Sequence, residues 1–152
     1  MRHIKTAVMP DLFRHPHSTN SRYKIPFQQE NAVHTYDDAN IFARILRGEI
    51  PCKKIYESPH SLAFHDIAPR APVHVLVITK GAYTDLSDFA RRGSTEEYAD
   101  FMQAIGEVAK LTGLEADGYR AISNCRDNGG QEVPHLHVHL LGGQKLGKML
   151  PA

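Results

Sequence analysis

The chain has 152 residues, 41% of them hydrophobic and 23% charged, with a formal net charge of +1. That length supports one domain with a substantial core, and the balanced charge excludes the basic surface by which a nucleic-acid binder is read. No apolar run reaches the roughly 18 residues of a membrane-spanning helix.

The first residues lack the apolar stretch of a secretory signal. The two cysteines, Cys52 and Cys125, lie far apart with no metal or redox spacing and read as reduced thiols, which predicts a cytoplasmic protein. Residues 1–35 hold four of the ten histidines and three of the nine prolines, with no lasting helical or strand period. They read as a flexible extension ahead of a single domain over residues 36–152.

From Tyr36 the pattern tightens. Asp38 or Asn40 can cap a short helix through Arg47, with Ile41, Phe42, Ile45 and Leu46 as its apolar face and Gly48 as its stop. Lys54–Glu57 and Ser61–His65 read as two short strands around the turn-prone Ser58-Pro59-His60. Residues 73–78 are apolar on both faces and predict a central strand. Ser94-Thr95-Glu96-Glu97 is a capping box opening a helix with the stripe Tyr98, Phe101, Met102, Ile105, Val108 and Ala109, closed by Gly113. Tyr119–Asn124 and His135–Leu141 complete five strands. The order predicts an α+β domain in which two helices cover a mostly antiparallel five-stranded sheet.

The last strand carries the chemistry. His135, His137 and His139 alternate with Leu136, Val138 and Leu140, so the three imidazoles share one face and the aliphatic residues the other. Neighbouring histidines then stand about 6.6–6.8 Å apart at their Cα atoms. Burying such a row without a use is expensive. Zinc is one use, with His74, His65 or Asp66 as a further ligand. The residues leading into the row favour another: Asn128-Gly129-Gly130 lets the backbone turn tightly and offer N–H groups to an oxyanion. Histidine is a good nucleophile near neutral pH, and phosphoryl or nucleotidyl transfer through a phosphohistidine needs no metal when N–H donors and an imidazolium hold the developing charge. The expectation is catalysis without a metal or other cofactor.

The stretch from His135 to Leu141 resembles the His-φ-His-φ-His-φ-φ motif of the histidine triad (HIT) superfamily. The resemblance runs from about Asn40 to Leu150. Ile41-Phe42, Ile50-Pro51, the segment Ala63–His74, Gly129-Gly130-Gln131 and Gly142-Gly143 are all similar to the HINT branch. It implies a homodimeric purine nucleoside phosphoramidase in which His137 attacks the α-phosphorus, His139 assists the departing amine and His135 orients the nucleophile. His74 would support them from behind. The resemblance also implies that Asp66 binds the ribose hydroxyls and that Ile41, Phe42, Ile45, Ile67 and Leu76 form the slot for the base. Asn124, Gly130 and Gln131 would complete the phosphate site.

Two positions depart from the family pattern. Glu132 stands where many members carry a small hydroxyl residue that meets the leaving group, which suggests a preference for cationic amines. Thr79 stands where proline is usual before Lys80. The competing functions are dinucleoside polyphosphate hydrolysis within the same superfamily, nucleotide binding with little turnover, and zinc binding by the histidine row.

Overall fold

A computed structural model describes residues 35–149. The flexible extension expected over residues 1–35 falls outside that range except for its last residue, as do the final three residues.

Asn40 caps the first helix, α1 (Ile41–Leu46): its side-chain oxygen accepts from the N–H groups of Phe42 and Ala43, each at 3.0 Å. Gly48 follows in the left-handed region (φ 74°), where a glycine ends a helix without strain. Strands β1 (Lys54–Glu57), β2 (Ser61–His65), β3 (Val73–Thr79), β4 (Arg120–Ile122) and β5 (His137–Gly142) form one antiparallel sheet in the order β1-β2-β3-β5-β4. The doubly apolar β3 is its centre. Two helices lie beyond the expected pair, α2 (Leu86–Arg92) and α4 (Leu114–Asp117). Seven and four residues are too few for a helical period to stand out in a sequence. The capping box opens the long helix α3 (Thr95–Leu111), with reciprocal bonds of 3.2 and 2.9 Å between Ser94 and Glu97.

The two faces of the sheet are specialised by alternation. Val75, Val77, Val138 and Leu140 pack on Phe101, Ala104 and Val108 of α3 and Phe89 of α2. On the opposite face Leu62, Phe64, Leu76 and Ile78 pack with Phe42 of α1. Leu76 pairs with His139 and Ile78 with His137, so two of the histidines share the face that α1 covers. Met102 departs from its expected place in the α3 stripe and is 66% exposed. Each helical residue turns about 100° from the last; once Phe101 and Ala104 face the sheet, Met102 points away from it.

Candidate active site

Strand β5 begins at His137 and not, as the alternation predicts, at His135. The N–H of His135 turns back to the Val133 carbonyl (2.8 Å), and that of Leu136 bonds to the Tyr83 carbonyl (2.7 Å), which takes this segment off the ladder. His135 is nonetheless fully buried. Its Nε2 lies 2.7 Å from the Thr79 carbonyl oxygen. A carbonyl only accepts, so the ring proton is on Nε2 and Nδ1 is left as the acceptor, which takes the Tyr36 hydroxyl. Burial pushes the pKa of His135 down to about 4.

The same reasoning settles His137. Its Nδ1 lies 2.7 Å from the His135 carbonyl oxygen, so Nδ1 carries the proton and Nε2 keeps its lone pair. Burial lowers the pKa; the His135 carbonyl and the charges of Asp66 and Glu132 act in the other direction and are outweighed. Ser123 donates to the His137 carbonyl (3.0 Å), and the Phe42 ring stands edge-on at 5.2 Å. Nε2 of His137 is thereby neutral at rest.

His139 has the opposite polarity. The Arg70 N–H donates to Nδ1 of His74 at 3.2 Å, which places the His74 proton on Nε2. That Nε2–H faces Nδ1 of His139 at 2.9 Å, so neutral His139 holds its own proton on Nε2. Burial, then the neighbouring His137 and His74, push its pKa down to about 4. The His137 and His139 rings are 4.9 Å apart. One ring offers a lone pair at Nε2 and the other an N–H.

The remaining predicted residues fall into three groups. Phe42 and Leu76 are buried together on the sheet face, and Ile45 packs against them. Ile41 is 40% exposed, and Ile67, at 94%, projects from the loop after β2. Asp66 accepts from the Ala68 N–H (2.7 Å) and turns its other oxygen toward Nε2 of His74 at 3.5 Å. In the loop between β4 and β5, Gln131 spends its side chain on the protein: Oε1 accepts from the Arg126 N–H (2.8 Å), and the amide donates to the carbonyls of Thr84 (2.6 Å) and Val133 (3.0 Å). Asn124 lies just beyond β4, Gly130 is left-handed at φ 70°, and Glu132 is exposed.

Asp66, His74 and His139 bring ligand-capable atoms within 4.8 Å of one another. For His74 to offer Nε2 to a metal, it must lose that proton or break its bond from Arg70. Of the three, His74 and His139 are joined by a hydrogen bond, and Asp66 stands 3.5 Å from the same Nε2 of His74. An open groove of about 530 Å³ lies apart from it, lined by Ile45, Pro51, Cys52, Leu62 and Lys80 among others, with none of the three row histidines in its wall.

The HIT domain model matches residues 47–146. The chain belongs to the HIT family. It is 57% identical to an uncharacterized HIT-like protein of Azospirillum brasilense over 76% of this chain and 95% of that one. It is 39% identical to the purine nucleoside phosphoramidase of Escherichia coli K12, over 74% and 94%. Among solved structures, a HIT family hydrolase from Clostridium thermocellum superposes with a TM-score of 0.69 at 38% identity, covering 75% of this chain and 99% of that one. Around the site, sequence reasoning missed Tyr36, Phe64 and the Arg126–Asp85 pair. Phe64 is buried edge-on to Phe42 at 5.8 Å, and its place in β2 on the same face as Leu76 could have found it. No local signal marks Tyr36.

Proposed function

We propose that this HIT-domain protein is a hydrolase that cleaves the P–N bond of purine nucleoside 5′-phosphoramidates, releasing AMP or GMP and an amine. The observation that carries the reading is the 2.7 Å bond from Nδ1–H of His137 to the His135 carbonyl, which leaves Nε2 unprotonated and oriented. That atom attacks the α-phosphorus as the P–N bond breaks, giving a nucleotidyl-His137. His139 bonds a phosphate oxygen through Nε2–H. The arriving phosphate anion raises its proton affinity, so His139 takes up one proton from solvent as the substrate binds and, as an imidazolium, passes the Nε2 proton to the departing amine. Water then attacks phosphorus, neutral His139 takes its proton, and the nucleoside monophosphate leaves His137 restored. The chemistry runs on these side chains without a metal.

Asp66 receives the 2′- and 3′-hydroxyl protons of the ribose. Phe42 and Leu76, with Ile41, Ile45 and Ile67 toward the opening, hold the base. Gly130, the Gln131 main chain and Asn124 bind the phosphate. The similarity to a protein named purine nucleoside phosphoramidase supports the substrate class.

The test compares wild type and His137→Ala on adenosine 5′-phosphoramidate with chelator present. The expected result is full wild-type turnover, a trapped nucleotidyl-enzyme, and a loss of about a thousandfold or more in the variant. Turnover of His137→Ala at the wild-type rate overturns the mechanism, and loss of wild-type turnover on chelation overturns metal independence. A higher kcat/KM for dinucleoside polyphosphates overturns the substrate class. AMP binding by a wild type that turns nothing over overturns the enzyme reading.

The same reading includes a homodimer. Met102 and Leu111 on α3 are 66% and 60% exposed, and Tyr119, just before the edge strand β4, is 39% exposed. A second copy would cover such residues and extend the sheet. Sedimentation of a monomer at micromolar concentration excludes it.

A further inference from the structure

Tyr36 reaches His135 across 99 residues of chain, its hydroxyl at Nδ1 of a fully buried ring. With Nε2 committed to the Thr79 carbonyl, Nδ1 is a buried acceptor that needs a donor. Tyr36 supplies it, and burial raises the pKa of the phenol, so the hydroxyl stays a donor through the neutral range. The ring is also boxed mechanically. Tyr36 meets it edge-on at 5.5 Å and Phe42 at 6.0 Å.

The main chain of His135 matters as much as its ring, because its carbonyl accepts from Nδ1 of His137. That carbonyl lies in a segment outside the β5 ladder, so the sheet does not hold it. Tyr36 directly precedes the turn that starts α1. Asn40 caps the helix with its side-chain oxygen while its amide donates to the Asp37 carbonyl at 2.7 Å, and the Ala39 N–H bonds to Asp37 at 2.8 Å. One turn therefore ties the helix carrying Phe42 to the first histidine of the row.

We propose that Tyr36 is a positioning residue for the histidine row: its hydroxyl holds His135 in one tautomer and, through the His135 main chain, sets the carbonyl that orients His137. Its kinetic consequence rests on the phosphoramidase reading; its geometric consequence does not.

The test uses the full-length chain with Tyr36→Phe, which keeps the ring contacts and removes the donor. Nitrogen-15 NMR of the histidine rings reports the tautomers directly. The wild-type His135 should show a protonated Nε2 and a hydrogen-bonded acceptor at Nδ1, and the Nδ1 resonance should move in the variant. On adenosine 5′-phosphoramidate kcat should fall about tenfold with KM within about twofold, the pattern of a lost orienting contact. Tyr36→Leu, lacking both donor and ring, should lose at least as much kcat.

Unchanged His135 resonances in Tyr36→Phe overturn the proposal, as does wild-type kcat in Tyr36→Leu or a loss that appears wholly in KM. A wild type that does not turn over the phosphoramidate overturns the phosphoramidase reading instead, and the NMR comparison still decides the role of Tyr36.

Discussion

Nε2–H of His74 donates to Nδ1 of His139 across 2.9 Å. The pairing of β3 with β5 makes this contact: His74 lies opposite Leu141 and Leu76 opposite His139, so the two histidines are diagonal neighbours on one face. The Arg70 N–H occupies the other nitrogen of His74, and the relay therefore runs in one direction, ending in the Nε2–H of His139.

His74→Ala releases Nδ1 of His139 to take the ring proton. The expected result is a loss of kcat of about tenfold or more, with AMP affinity by calorimetry within about twofold. A variant with wild-type kcat contradicts the relay.

The acid limb of the rate profile follows from burial. His135 and His139 have pKa values pushed from 6.5 to about 4, and that of His137 is lowered. In the proposed mechanism His137 attacks as the neutral base, so kcat/KM should hold through pH 6.5 and fall only at lower pH. The stability linkage has a matching sign. Buried neutral histidines bind fewer protons folded than unfolded, so they favour the unfolded state progressively as pH drops from 6.5 toward 4. NMR titration of the free protein should show His135 and His139 still neutral at pH 5.5; a midpoint near 6.5 for either contradicts the burial argument.

Glu132 is exposed, and its charge reaches His137. A carboxylate there repels a phosphate unless it faces a cationic leaving group. Glu132→Ser should therefore lower kcat/KM for phosphoramidates of positively charged amines by about tenfold while leaving neutral ones unchanged or improved. An unaltered ratio between the two substrate classes removes Glu132 from leaving-group selection.

Arg126 ties the loop between β4 and β5 to Asp85. It adopts φ 59°, unusual for a residue with a side chain, and its Nε donates at 3.0 Å to Asp85, which is 1% exposed. Asp85 also caps α2 by accepting from the Asp88 N–H, so it is not orphaned when arginine is lost. Arg126→Ala should lower stability by about 1–2 kcal/mol and raise KM more than it lowers kcat. Thermal melting and kinetics check both, and a variant with unchanged KM contradicts the loop's role.

The legible parts of this fold were those whose signals lie within a few residues. The Asn40 cap, the Ser94–Glu97 capping box, the apolar run of β3 and the alternation in β5 each depend on near neighbours. The site was less legible because its supports cross the chain. Tyr36 meets His135, Arg126 meets Asp85 41 residues away, and Gln131 meets Thr84 47 residues away. Strand β5 starts two residues later than the alternation predicts for the same reason: the Tyr83 carbonyl, from another part of the chain, takes the Leu136 N–H. Ile67 stands 94% exposed on the loop after β2, a placement that its apolar composition does not announce.

By itself the sequence determined an α+β domain with three histidines in alternation, an adjacent glycine turn and an acidic residue after β2. Hydrophobic period and turn chemistry are local properties, and they suffice for that much. Only the tertiary structure decided which nitrogen of each histidine carries a proton. That choice depends on the Thr79 and His135 carbonyls, the Arg70 N–H and the Tyr36 hydroxyl. A tautomer is set by the donor or acceptor standing opposite each ring nitrogen, and the fold brings two of those groups, the Thr79 carbonyl and the Tyr36 hydroxyl, from distant parts of the chain.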